Sequence, residues 1–239
     1  MVFLLLADLH SNLPALKAVF EEVTEFDKIF VCGDFVGYGP YPNGCIEKIA
    51  ENEHLAVMGN HDAAIVGEIS SSWFNYPARK ALEITKEKIS HKNYNFLDNL
   101  SEKEVYKDKI TIVHGSPRKP LTEYVRDRYL VKANLDFFTT PVTLVGHTHV
   151  PAVYEIEDEQ VRVKEPPQMK LDPNCKYVIN PGSVGQPRDG NPKASYALLD
   201  TDKDTLKYGR VEYSLEEVQE KMRHLEFPNS LVRRISEGL

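Results

Sequence analysis

The chain has 239 residues, 41% hydrophobic and 10% aromatic, enough to bury a substantial core. A net charge of −7 disfavours the broad basic surface that duplex nucleic acid requires, although bound cations would make a site locally positive for a phosphate. No apolar run approaches the ~20 residues of a spanning helix, no basic region marks a signal peptide, and three cysteines without a C-x-x-C pair indicate neither a disulfide framework nor a thiolate metal site, so a cytoplasmic location is expected.

Met1–Leu6 is continuously apolar, as in a strand buried on both faces, and its end delivers Asp8 and His10 into a loop. Ser11 or Asn12 then caps a helix in which Pro14 suits the first turn and Leu13, Leu16, Phe20 and Val23 share one side. Lys28–Cys32 reads as a second strand ending at Gly33-Asp34, Asn43–Glu51 as a helix after the Gly/Pro-rich Gly37–Pro42 loop, and His54–Met58 as a third strand. That strand opens into Gly59-Asn60-His61-Asp62, read as a loop. Such alternation is the signature of a parallel, doubly wound unit, where ligands gather beyond the carboxyl ends of the strands.

Residues 63–100 break the alternation with helical pattern in Pro77–Ile89 and Asn93–Leu100, just after the only tryptophan, Trp73. This helical insertion either shapes one wall of the site or merely covers the sheet. Glu104–Lys107 and Lys109–Val113 form two strands around a tight turn, and His114-Gly115 follows. Ser116–Arg128 is a polar loop whose Arg118, Lys119, Arg126 and Arg128 are phosphate contacts or a solvated face. Leu130–Phe138 is helical, and the strand Val142–Val145 carries Gly146-His147-Thr148-His149. Beyond it Ala152–Ile156, Gln160–Lys164, Lys176–Ile179, Ser195–Leu199 and Thr205–Glu212 are short strands, simply accounted for as a second sheet. Leu215–Leu225 is a helix capped by Ser214, followed by a short helix or a loose tail. Candidate ligands spread from Asp8 to His149 argue for one domain over residues 1–239.

A single Asp or His at a strand end is most often a cap, but here five such clusters end five apolar runs. Asp8, His10, Asp34, Asn60, His114, His147 and His149 offer carboxylate, amide and imidazole donors without thiolate, which suits divalent Mn, Fe, Zn, Co or Ni. They are too many for one ion and the right supply for two ions sharing a bridge. In an extended Gly146–His149 both imidazoles would face one side. His61 is then the leftover imidazole, placed to protonate a leaving alkoxide or steady a phosphoryl oxygen, with Asp62 able to hold its tautomer. Arg188 is a further candidate for a phosphate oxygen; Asn12 is another, in competition with its role as a helix cap.

The ordered set Asp-x-His, Gly-Asp, Gly-Asn-His-Asp, His-Gly and Gly-His-x-His resembles the calcineurin-like metallophosphoesterases. With Gly37-Tyr38-Gly39-Pro40 and Asn180-Pro181-Gly182-Ser183-Val184-Gly185 it looks most like their small prokaryotic phosphodiesterase branch, over Asp8 to about Asp200. The resemblance implies a four-layer α-β-β-α sandwich with two central mixed sheets. It also implies one ion on Asp8, His10 and His149, a second on Asn60, His114 and His147, and Asp34 bridging both, with Mn²⁺ the favoured metal. A carboxylate bridge fits two cations ~3.5–4 Å apart, since it offsets their repulsion. The expected activity is metal-dependent hydrolysis of a small phosphodiester, or of a monoester. Dinucleoside polyphosphate or protein phosphatase activity, a silent scaffold of the same fold and a metal buffer are the alternatives. A homodimer through an exposed edge of the second sheet is compatible with the sequence, which contains nothing that demands it.

Overall fold

Alternation along the first strand already separates the layers. In β1 (Val2–Leu6), Leu4 and Leu6 face a core shared with helices, whereas Phe3 and Leu5 face a second core between two sheets. The same division repeats in β2 (Lys28–Val31), with Ile29 and Val31 on the helix side and Phe30 on the inner side. A strand apolar on both faces is therefore the expected product of burial on both faces. The structure, a computed structural model, describes residues 1–164 and 167–239.

Two six-stranded mixed sheets stack face to face. The first runs β3 (His54–Ala56), β2, β1, β11 (Ala194–Asp200), β12 (Thr205–Val211), β9 (Gln168–Lys170). The second runs β4 (Lys103–Tyr106), β5 (Ile110–Val113), β6 (Val142–Leu144), β10 (Lys176–Asn180), β7 (Ala152–Glu157), β8 (Gln160–Lys164). Helices α1 (Leu13–Glu22), α2 (Pro42–Ala50), α3 (Asn60–Val66) and α5 (His91–Asp98) cover the outer face of the first sheet. Helix α6 (Arg128–Lys132) and its neighbouring loops cover the second. Helices α7 (Leu215–His224) and α8 (Asn229–Glu237) pack with α4 (Tyr76–Lys88). This is the expected four-layer α-β-β-α sandwich with two central mixed sheets.

Several local expectations change. The β-rich second half does not make the second sheet alone: β11 pairs antiparallel with β1, joining Val2 to Asp200, while β10 pairs parallel with β6. Pairing at such separation leaves no local mark in the sequence. Asn60 and His61 lie not in a loop but in the first turn of α3, because Gly59 caps the helix and the Asp62 carboxylate accepts the Gly59 N–H at 3.0 Å. The helix expected over Leu130–Phe138 breaks after Lys132 and resumes as a 3₁₀ turn at Leu135–Phe137. The chain's last segment is helical, closed by Gly238 in the left-handed region. Among the described residues, no helix is long and apolar enough to cross a membrane.

Candidate metal centre

Asp8, Asp34, His114, His147 and His149 follow the carboxyl ends of four strands, β1, β2, β5 and β6, so the two-sheet stack brings them together. Their backbone is under strain. Asp8, His10, Asp34, His147 and His149 all have positive φ, from 44° to 67°, a region that Asp and His enter more readily than bulky apolar residues do. Each such residue costs about 1–3 kcal/mol and persists only where its surroundings over-determine it. Here they do: Asp8 N–H donates to the Gly33 carbonyl at 3.1 Å and His10 N–H to the Asp34 carbonyl at 2.9 Å. The Asp8 carbonyl in turn accepts from Ser183 Oγ at 2.8 Å and Gly185 N–H at 2.9 Å. Asn180 Nδ2 holds the Gly146 carbonyl at 2.8 Å and Thr148 Oγ1 at 2.9 Å. The Asn180–Gly185 stretch thus braces both the first and the last candidate ligand loops.

The donors fall into two groups with one shared member. Asp8, His10, Asp34 and His149 form one cluster of mutually close ligand atoms; Asp34, His114 and His147 form the other. Asn60 Oδ1 joins the second, 2.9 Å from His114 Nε2. Gly146–His149 is not extended as the sequence suggested. Its two histidines take left-handed φ values, and the resulting turn sends His147 toward His114 and His149 toward His10.

Tautomers decide what these groups can bind. The Nδ1 atoms of His10, His114 and His149 sit 3.0, 2.7 and 2.6 Å from the carbonyls of Val36, Cys32 and Gln186, which can only accept, so each Nδ1 carries the proton. Burial, followed by the charges of His61 and Arg188, pushes His10 well below its ordinary pKa, and burial brings His114 down to about 4. Neutral rings protonated at Nδ1 present bare Nε2 lone pairs. His10 Nε2 and His149 Nε2 face each other at 3.0 Å with no proton between them. His114 Nε2 lies 3.0 Å from His147 Nδ1. Asp34 Oδ2 lies 3.6 Å from His10 Nε2 and 3.4 Å from His114 Nε2, is buried, and has no hydrogen-bond partner among the described residues. Converging lone pairs and an orphaned buried carboxylate oxygen are costly unless cations lie among them. Burial raises the Asp8 and Asp34 carboxyls well above the usual range, and at Asp8 the neighbouring Asp34 adds to the effect, a conflict that bound cations would reverse. The donor chemistry fits divalent metal.

The remaining candidates separate. His61 lines the same cleft, wedged among Tyr38, Phe74 and His10 at ring distances of 4.5, 4.8 and 4.9 Å. Gly37 makes room for it: its φ of +87° and the His61 ring beside it leave no space for a Cβ. The Asp62 carboxylate makes no hydrogen bond to the His61 ring among the described residues. Its two oxygens accept the N–H groups of Phe35 at 3.2 Å, Val36 at 3.1 Å and Gly59 at 3.0 Å, so it ties the Asp34 loop to the start of α3 rather than setting a tautomer. Its carboxyl is pushed up to about 7 by burial and by Asp34, against those three hydrogen bonds. Asn12 is a cap. It accepts from Ala15 N–H at 3.2 Å and donates to the Gly185 carbonyl at 3.0 Å, which leaves its amide committed to structure instead of substrate. Arg188 does reach the cleft, with its guanidinium over the Tyr38 ring and an Nη2 3.3 Å from the Tyr38 hydroxyl.

Sequence reasoning missed the aromatic neighbours. Tyr124 stacks on His147, centroids 3.7 Å apart and planes within 21°, and Phe74 meets His61 edge to face. Nothing near either residue in sequence marks it. The insertion lines the cleft, a cavity of about 330 Å³, through Ile69, Trp73, Phe74, Asn75 and Ala78, and the polar loop lines it through Leu121, Thr122 and Tyr124. The loop's basic residues are engaged elsewhere or exposed: Arg118, for instance, pairs with Glu123.

A family model described as the calcineurin-like phosphoesterase superfamily domain matches residues 1–204. An uncharacterized protein of Methanocaldococcus jannaschii is 38% identical over 98% of this chain and 96% of its own length. The crystal structure of a metallophosphoesterase from Sphaerobacter thermophilus is 38% identical, covers 100% of both chains and superposes with a TM-score of 0.88. A protein from Pyrococcus horikoshii, 21% identical over 100% of this chain and 98% of that one, shares the fold with a TM-score of 0.81.

Proposed function

The chain belongs to the calcineurin-like phosphoesterase superfamily, and we propose that it is a two-metal-dependent phosphodiesterase acting on a small substrate. The observation that carries this reading is Asp34: one buried carboxylate belongs to both donor clusters, and its Oδ2 has no partner among the described residues. In this reading Asp8, His10 and His149 hold one ion, Asn60, His114 and His147 hold the other, and Asp34 serves both, with Mn²⁺ the first metal to try. Divalent ions bound there would lower the pKa of a water from about 15.7 toward ~7 and neutralise charge on phosphoryl oxygens.

The chain's own residues do the rest. Asp34 Oδ1 accepts the His61 N–H at 2.8 Å, so the bridging carboxylate and the neighbouring imidazole are fixed relative to each other. His61 presents its ring to the cleft and supplies a proton to the departing alcohol oxygen as water adds to phosphorus and the bond from phosphorus to that oxygen breaks. Arg188, anchored on Tyr38, holds a non-bridging phosphate oxygen through its guanidinium. Asp62 and Gly37 act on position alone. Esters of unactivated alcohols are the natural class for this arrangement, because their alkoxide needs the proton that His61 can give, whereas a chromogenic aryl ester's leaving group does not.

The test is to strip the protein with chelator, reload it with Mn²⁺ and compare a chromogenic phosphodiester with its monoester, using Asp34→Asn as control. Metal-dependent diester turnover that vanishes in the variant is expected. Monoester turnover alone would transfer the protein to the phosphatase class, and metal binding without turnover on either ester would favour a scaffold.

A further inference from the structure

Resting on the phosphoesterase reading, we propose that the group leaving beside His61 is a nucleoside, its base stacked on Trp73. The geometry starts from the acid. A proton donor must lie next to the departing oxygen, so whatever packs against the open side of His61 also lines the leaving-group subsite. Of the rings packed on His61, the one outside the metal-site and Arg188 group is Phe74, edge to face at 4.8 Å, and its sequence neighbour Trp73 lines the same cleft. Both belong to the 63–100 insertion, which lies beyond Asn60 and contains none of the seven candidate donors.

Trp73 is the only tryptophan in the chain and is 78% exposed. It sits on a 3₁₀ turn, Ser71–Trp73, that buries no residue, so its indole is not holding the fold together. It nevertheless lines the cleft that contains Asp34, Asn60, His61 and Arg188. A large aromatic surface kept wet at the mouth of a catalytic cleft is suited to stacking on a planar partner.

The other side of the leaving-group path narrows the class. The cleft lining includes the apolar Ile69, Phe74, Ala78 and Leu121. A sugar chain or other polyol laid there would give up hydrogen bonds to water without replacement. A nucleoside would not, because the ribose stays near the polar floor and the base lies on the aromatic rim. Asn75 Oδ1 is occupied as the cap of α4, accepting from Ala78 N–H at 3.0 Å, and Asn75 and Thr122 are polar members of the same cleft lining. The cleft volume of about 330 Å³ matches a small ligand and not a folded phosphoprotein. The chain's net charge of −7 disfavours polymeric nucleic acid and leaves a mononucleotide ester or a short dinucleotide.

The single tryptophan makes the proposal directly measurable. Mn²⁺-loaded protein is mixed rapidly with AMP or with ribose 5-phosphate, and Trp73 emission is read before turnover begins. AMP is expected to quench it saturably and to bind at least about tenfold more tightly than ribose 5-phosphate, in keeping with the strength of one base-on-aromatic stack. Calorimetry on Trp73→Ala should find that advantage reduced to less than about threefold. Equal binding of the two ligands in the parent protein, or a tenfold preference that survives in Trp73→Ala, would overturn the assignment. The two readings fail distinguishably: diester turnover sensitive to Asp34→Asn alongside indifferent AMP binding removes only the nucleoside, whereas AMP quenching without any turnover overturns the hydrolase and with it the leaving-group assignment, and keeps only the stacking of the base on Trp73.

Discussion

The floor and the walls of the cleft are built on opposite terms. The floor is made of buried or half-buried donors, five of the seven on left-handed backbone, with three histidine tautomers fixed by carbonyls. The walls come from the 63–100 insertion and the 116–128 loop and present half-exposed or exposed aromatics such as Tyr124, 46% exposed, and Trp73. Rigidity belongs where ions must be held at fixed spacing; adaptable apolar surface belongs where a substrate is selected. Changes to the floor should therefore alter chemistry with little effect on ligand preference, and changes to the walls the reverse.

The largest effect expected is from Asp34→Asn, which keeps shape but removes the charge shared by both clusters. Diester turnover should fall by about a thousandfold or more, and a loss under tenfold with both metals retained would place the bridge elsewhere. His61→Ala comes next. It should cost about a hundredfold or more on an alkyl leaving group but far less on 4-nitrophenolate, which departs without a proton, and equal losses on both would remove the acid role. Gly37→Ala leaves every donor in place but drives a methyl into His61 and strains a left-handed backbone. About tenfold loss of turnover with unchanged metal stoichiometry would locate the damage in the positioning of His61, whereas loss of metal would tie Gly37 to the floor itself.

The smallest effect belongs to the wall. Glu123 accepts from Ser116 Oγ at 2.6 Å, Asn134 Nδ2 at 2.8 Å and Arg118, and so pins the loop that carries Tyr124. Burial alone would raise its pKa, but these hydrogen bonds prevail and hold it at about 2. A folded pKa below the unfolded value means that this stabilisation is complete above about pH 4.5 and fades as the pH falls toward 2. Amide exchange in residues 116–134 should accelerate across that window in the parent protein. In Glu123→Gln the loop should already exchange a few-fold faster at neutral pH and lose that acid response, with metal binding unchanged; an identical acid profile would release Glu123 from this role.

The same division explains what could be read from the sequence. Donors that chemistry requires are uncommon residue types at strand ends, so Asp8, Asp34 and His114 stood out, and the doubly apolar β1 and β2 announced their double burial. Sheet membership was hidden, because β11 reaches β1 through a pairing of Val2 with Asp200 that no local pattern encodes. The first turn of α3 was obscured by a Gly-Asn pair that reads as a turn, although Gly59-x-x-Asp62 carries the spacing of a capping box. Adjacency in sequence pairs Asp62 with His61, yet on a helix neighbours i and i+1 do not face each other, and the Asp62 oxygens turn back to the Asp34 loop. Tyr124 and Phe74 are ordinary aromatics whose partners His147 and His61 are set only by tertiary packing.

The central claim is that one carboxylate joins two metal positions. It is tested most directly by titrating chelator-stripped protein with Mn²⁺ and following the electron paramagnetic resonance spectrum. The account predicts two ions per chain and an exchange-coupled signal as the second binds, reflecting a spacing of ~3.5–4 Å, with the coupling lost in Asp34→Asn. A single ion at saturation, or two ions whose spectra remain independent, would contradict it.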